Sequence, residues 1–413
     1  MAAKLRVRMY RTGFGDCFLL SFGAAATARH VLIDFGAHMH GEIGTMDAIM
    51  DDIEHETKRK LEVVVATHAH RDHISGFGSF AQRFAQFEIG EVWLPWTDNS
   101  KDPAVAELQR KQIALYDRLE RHIRLALGAA RPAGITAAAL NALANLRGNE
   151  PAKAALANGF GVGAAPRYLR AGDSMAKVGT VTGLSAEILA PPDDKAFFSR
   201  MNPPANQRYL TDPGDPTGEV HPFPGLEMPP GDVDLPAIVA EGQPVLQQDE
   251  IDQLRERAES PAARLALKLD SVRNNTSLVI LFRYKGKALL FPGDAQWGNW
   301  QSWIGGEGSK QLLGEVDFLK VAHHGSDNAT PVDVVNALRP NGLAVMVATQ
   351  VEPFPTIPRM PLLAELETHC SGGVAVRSDW IEVEDSPTGP QPKPRLPREF
   401  QAGALWIDYS LST

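Results

Sequence analysis

Three imidazoles and a carboxylate fall within six residues at His68-x-His70-x-Asp72-His73. If the first part stays extended, His68 and His70 point the same way, because alternate side chains of an extended chain share a side. Asp72 and His73 then turn in a tight loop towards a second position, about one metal–metal distance away. Imidazole with carboxylate suits zinc, manganese or iron rather than calcium or magnesium. A His-rich surface loop is the bland alternative, and this density of ligands speaks against it. Zinc is expected, one or two ions per chain, with manganese as the substitute.

Two further groups follow downstream. Asp294 comes after Phe291-Pro292-Gly293. A carboxylate at a strand end is usually a turn residue or a helix cap, but a two-metal site needs a bridging oxygen, and Asp294 can supply it. His323-His324-Gly325-Ser326 follows another apolar run. Adjacent histidines cannot both face one pocket while a strand continues, so one of the pair is expected to be structural. His324, nearer Gly325, is expected to face the rim. It acts there as a proton donor, or swings in as a ligand. The catalytic candidates are thus Asp72, Asp294, His323 and His324, and the metal candidates are His68, His70, Asp72, His73, Asp294 and His324.

The elements around these groups place them at strand ends. Leu5 to Tyr10, Cys17 to Phe22 and His30 to Asp34 read as strands, with a turn at Gly13 to Asp16. Asp47 to Leu61 has helical spacing, and Val63 to Ala66 is unbroken in apolar character, as a buried strand is. Further strands are expected at Val92 to Leu94, Leu184 to Leu189, Ser277 to Phe282, Ala288 to Phe291, Asp317 to Val321 and Leu343 to Ala348. Helices are expected at Gln247 to Lys268, Trp297 to Leu313, Val332 to Leu338 and Leu362 to Thr368. Residues 103–160 are rich in Ala, Leu and Arg and read as a helical insertion; 193–244 are rich in Pro, Gly and Asp and read as a flap. The whole 1–413 reads as one domain.

Composition bounds the function. Net charge is −9, which does not favour a nucleic-acid partner, although a groove can be locally basic. Two cysteines, Cys17 and Cys370, allow no disulfide framework beyond one bridge and no cysteine-rich zinc knuckle. No signal-peptide core or membrane span is evident, so a cytoplasmic protein without a membrane partner is expected.

Taken in order, Gly13 to Asp16, Leu32 to Gly36, His68 to His73, Asn275 to Ser277, Gly293-Asp294 and Leu319 to Ser326 resemble the motifs of the metallo-β-lactamase-fold hydrolases. The resemblance is nearest to the hydrolase domain of the competence protein ComEC and its stand-alone relatives. It implies an α/β fold, an αββα sandwich of two mixed sheets with helices on both outer faces and metals at the rim. It also implies that His68 and His70 hold one metal, that Asp72 and His73 hold a second, that Asp294 bridges them and that Asp34 supports the ligand loop. Two histidines of the family pattern lack a match. His221 is the only histidine between Leu184 and Asp294, and none occurs from Pro353 to Pro361.

The expected activity is metal-dependent hydrolysis, of phosphodiesters by the ComEC-type resemblance, with a metal lowering the pKa of water to about 7. Lactones, thioesters or β-lactams are the rival substrates, and Arg or Lys near the metals separates the two. A regulatory protein with a degraded site is the non-enzymatic alternative. Lys320 reads as a solvated strand-end charge or a phosphate contact. His38 and His40 lie near the same rim, and Trp297, Trp300 and Trp303 read as a buried helix face.

Overall fold

The structure, a computed structural model, describes residues 4–38, 43–107, 149–209, 272–350, 356–380 and 396–412, with isolated positions from 109 to 117. Several of its strands are apolar at both phases of their period-two alternation. In β4 (Lys60–Val65), Val63 and Val65 enter one apolar layer and Val64 another. In β2 (Cys17–Phe22), Phe18 and Leu20 divide from Leu19 in the same way. Such strands are stable only in a sheet covered on both faces.

Two mixed sheets result. The first runs β14 (Phe400–Ala402), β15 (Trp406–Ser412), β1 (Lys4–Tyr10), β2, β3 (Arg29–Phe35), β4, β5 (Glu88–Pro95), β6 (Pro166–Leu169). The second runs β13 (Val376–Arg377), β12 (Ala344–Val347), β11 (Phe318–Lys320), β10 (Lys287–Phe291), β9 (Val279–Tyr284), β8 (Leu184–Ala190), β7 (Ser174–Met175). Between them lies a layer that includes Val7, Phe18 and Val63 from the first sheet and Phe282, Phe291 and Met346 from the second. Outside the first sheet, Ile49 and Ile53 of α1 (Met46–Thr57), Phe77 of α2 (Arg71–Ser79) and Leu156 of α3 (Glu150–Ala157) close a second layer. Outside the second, Trp300 of α4 (Trp297–Ile304), Leu313 of α5 (Ser309–Gly314), Val334 of α6 (Val332–Ala337) and Leu363 of α7 (Met360–His369) close a third. This is an αββα sandwich.

The sheets share a plan that places the site. In each, an antiparallel hairpin leads into parallel strands: β2–β3 then β3–β4, and β9–β10 then β10–β11. Chemistry-bearing residues sit at or just past the carboxyl ends of the parallel strands, where such sheets commonly bind ligands.

Several expectations are corrected. The helix expected from Asp47 to Leu61 ends at Thr57, because Lys58 and Arg59 take left-handed φ values of 52° and 58° and β4 starts at Lys60. The helix expected from Trp297 to Leu313 is two helices separated around Gly305, Gly306 and Gly308. Trp300 is buried as expected, against Leu290 and Val334 in one layer. The helix expected at Gln247 to Lys268, most of the insertion at 103–160 and of the flap at 193–244, and both His40 and His221, lie outside the described residues. No described helix is long and apolar enough to cross a membrane.

Candidate metal centre

Strand β4 ends at Val65, and Thr67 starts the ligand loop. Asp34, at the end of β3 with φ 54°, accepts from Thr67 N and Thr67 Oγ1, both at 2.7 Å, and from His73 Nδ1 at 2.8 Å. With three donors on one buried carboxylate, Asp34 fixes both ends of the loop. It also fixes the tautomer of His73: the proton is on Nδ1, and the Nε2 lone pair is turned inwards. Burial still pushes the Asp34 carboxyl up, against the pull of His73.

Backbone packing clamps the same loop. A Cβ on Gly36 would strike the Asp72 carbonyl carbon and His73 N, and one on Gly15 would strike Gly36 O and Asp72 O. Asp16 N donates to Asp72 O at 2.9 Å. The motif glycines therefore serve close backbone approach. Asp72 and His73 are not in a loop, as the sequence suggested, but in the first turn of α2. A carboxylate there is favoured by the helix dipole.

From the second sheet, β10 delivers Asp294 and β11 delivers the histidine pair. His323, His324 and Gly325 have φ of 46°, 54° and 85°, a left-handed turn that ends the strand and frees both imidazoles. With the strand ended, both rings approach one carboxylate: His324 Nε2 lies 3.6 Å and His323 Nε2 3.9 Å from Asp294 Oδ2. The expectation that His324 faces the rim is corrected. His324 is 0% exposed, packed at 4.2 Å between ring centroids on Phe14, while the His323 side chain is 22% exposed. His324 Nδ1 donates to Ala348 O, just past β12, at 2.8 Å.

One potential ligand atom each from Asp72, His73, Asp294 and His324 lies within 4.8 Å of the others. His73 Nε2 is 3.1 Å from Asp294 Oδ2, and His324 Nε2 is 3.1 Å from Asp72 Oδ2. Because Nδ1 of each ring already donates, each Nε2 is a lone pair facing a carboxylate unless a cation or an added proton lies between. Asp72 Oδ1 and His73 Nε2 are buried without a hydrogen-bond partner. The donor set fits a transition-metal ion. Beside it, His68 Nε2 and His70 Nδ1 stand 3.0 Å apart, with the His68 ring 4.1 Å from that of His73. Burial holds His68 well below the usual imidazole range and lowers His70 to about 3, with Arg273 acting in the same direction on His70. Both rings stay neutral, as ligation requires.

The electrostatics are dominated by carboxylates. Asp16, Asp34, Asp72 and Asp294 are all buried. Lys320 is buried with them, neither solvated nor placed to meet a substrate: its Nζ donates to Gly293 O at 3.0 Å and pairs with Asp16 and with Asp294 Oδ1 at 3.3 Å. Four carboxylates and one ammonium leave three negative charges. Burial opposes charge on His73 and His324, yet the neighbouring carboxylates outweigh it and push both rings up.

Sequence reasoning used Asp16 only as part of a motif and missed the burial of Lys320. Period-two alternation carries the signal, since Lys320 shares a phase of β11 with core residue Phe318. Asn275, part of the motif, is structural: its Nδ2 donates to Phe198 O and Arg200 O, and its Oδ1 accepts from Asn299 N. Its neighbour Asn274 reaches His323, with Nδ2 at 3.4 Å from Nε2. His38 is buried beside Phe14, with ring centroids 6.4 Å apart.

No protein-family profile and no curated protein matches the chain. Among solved structures it is similar to Igni18, described as a novel metallo hydrolase from the hyperthermophilic archaeon Ignicoccus hospitalis KIN4/I. That similarity covers 91% of this chain and 95% of the other, with 12% identity and a TM-score of 0.36.

Proposed function

We propose that the protein is a metal-dependent hydrolase of phosphodiester bonds. One observation carries the metal reading: Asp72, His73, Asp294 and His324 converge from two sheets in a buried cluster that is short of positive charge. Counted with Asp16, Asp34 and Lys320 and with neutral imidazoles, the surroundings carry three negative charges; one divalent ion would leave a single negative charge, and a second would reverse the sign to one that attracts an anionic substrate. Asp72, His73, Asp294 and His324 would hold one ion, and His68 and His70 a second. A bound ion supplies Lewis acidity, lowering the pKa of water to about 7 and polarising a phosphoryl oxygen. The chain's own part is positional. Asp34 and Ala348 O orient the two imidazoles, and Lys320 holds one oxygen of Asp294 so that the other faces inwards. His323, partly exposed and next to Asp294, is placed to meet a leaving group. Phosphodiesters, rather than lactones, thioesters or β-lactams, are favoured by the ComEC-type order of motifs.

The test is metal analysis of protein purified without chelator, followed by assays with zinc and with manganese. The substrates are bis-p-nitrophenyl phosphate, single-stranded DNA, RNA, a lactone and nitrocefin. Bound transition metal and hydrolysis of the phosphate ester support the proposal. Protein without metal, or metal-loaded protein cleaving only the lactone or nitrocefin, would overturn it.

A further inference from the structure

Arg273 stands beside this centre in the helical residues 272–274, just ahead of β9. Its Nη1 donates to Ala69 O at 3.3 Å. Ala69 lies between His68 and His70, and its carbonyl also accepts from the buried Asn149 Nδ2 at 2.8 Å. Ala69 is therefore tied down by a neutral donor without Arg273. The bond to Ala69 is the one side-chain bond that Arg273 makes among the described residues. Lys153, the neighbouring cation on α3, is matched by Glu150 at 2.9 Å. Among the described residues Arg273 has no such match: Asp98 feels its charge only from beyond ion-pair distance.

A guanidinium without a carboxylate partner among the described residues, next to two candidate metal ligands, is unfavourable in a loaded site, because cation repels cation across a partly desolvated space. A third charge of opposite sign removes the conflict. The guanidinium is planar, with five donors in a fixed fork, and Ala69 uses one of them. The remainder suit an oxyanion gripped at two points.

We propose that Arg273 binds the charged oxygens of the substrate, holding a phosphodiester's non-bridging oxygens beside the His68–His70 pair. The proposal rests on the hydrolase reading and assigns its substrate an anionic group next to the scissile bond.

Arg273→Gln tests it, because the amide keeps an N–H donor for Ala69 O and removes the charge. Metal-loaded wild type and variant are compared by calorimetry with inorganic phosphate, and by hydrolysis of bis-p-nitrophenyl phosphate and of neutral p-nitrophenyl acetate. The expected result is unchanged metal content and phosphate affinity weaker by roughly 10- to 100-fold, the usual range for a lost charged hydrogen bond. KM for the diester should rise similarly, and KM for the neutral ester should stay within about twofold. Phosphate bound equally by both proteins, or not bound by the wild type, overturns the proposal. So does loss of metal in the variant, which makes Arg273 a strut for the ligand loop. If neither ester is cleaved, the hydrolase reading fails by itself, and the calorimetry still decides the role of Arg273.

Discussion

Lys320 Nζ lies 3.3 Å from Asp294 Oδ1 where the side chains of both residues are only 2% exposed. The ammonium divides the carboxylate: Oδ1 is held, and Oδ2 is left for the centre, 3.1 Å from His73 Nε2. Asp16 completes the arrangement as the second partner of the lysine. Deleting one partner of a buried ion pair strands the other, at about 3–5 kcal/mol. Lys320→Met should lower metal-free stability by that amount in urea unfolding. Asp16→Asn with Lys320→Met should recover part of the loss, since charge is removed from both sides. A double variant no more stable than Lys320→Met alone would show that the pair is not the source of the effect.

Asp72 and His73 occupy the first turn of α2, and alanine is a good helix former there. The double variant Asp72→Ala, His73→Ala is expected to remain folded by circular dichroism while losing at least one metal and nearly all hydrolysis. Full turnover in that variant would remove both residues from the mechanism.

The two neighbouring histidines should separate by readout. His324 sits in the ligand cluster, so His324→Ala should lower metal content and rate together. His323 is partly exposed and reaches Asp294 only at 3.9 Å, so His323→Ala should keep the metal. Its rate should fall by roughly 10²–10⁴ on substrates with poor leaving groups, the range for loss of a positioned acid. The loss should be smaller for p-nitrophenolate leaving groups. Metal content and turnover unchanged in both variants would mark the pair as structural.

His30 predicts the pH dependence of stability away from the centre. Burial and the nearby Arg6 lower it to about 4, and its Nδ1 meets Ser21 Oγ at 3.0 Å. A folded pKa below the unfolded value gives stability that is complete above about pH 6.5 and lost as pH falls towards 4. In that window the wild type should lose up to ~1.4 kcal/mol per pH unit relative to His30→Gln. Parallel denaturant midpoints for the two proteins from pH 7 to 4 would disprove the assignment.

Much of the candidate centre could be picked out in the sequence because its residues are local clusters next to unbroken apolar strands. His68 to His73 after Val63 to Val65 needs no knowledge of the rest of the chain. The placement of His324 was not legible, since it depends on three successive left-handed residues and a carbonyl on another strand. Nor was the seven-residue pairing of β1 with β15, which joins opposite ends of the described chain and leaves no local pattern. The break between α4 and α5 did carry a signal, in Gly305, Gly306 and Gly308, but the apolar spacing across it outweighed them. Arg273 has an ordinary sequence context, and only its neighbours in space make it unusual.

The candidate ligands come from both sheets, and that has a consequence for unfolding. Asp72 and His324 are 252 positions apart, yet their side chains lie within hydrogen-bonding distance. An ion held by both closes a very long loop, so it acts on the chain as a removable cross-link. The loaded protein then cannot part its two halves without releasing the ion. Its resistance to unfolding becomes a function of free metal concentration, rising with the logarithm of that concentration once binding is saturated. Chelation should then act on this molecule as a mild denaturant.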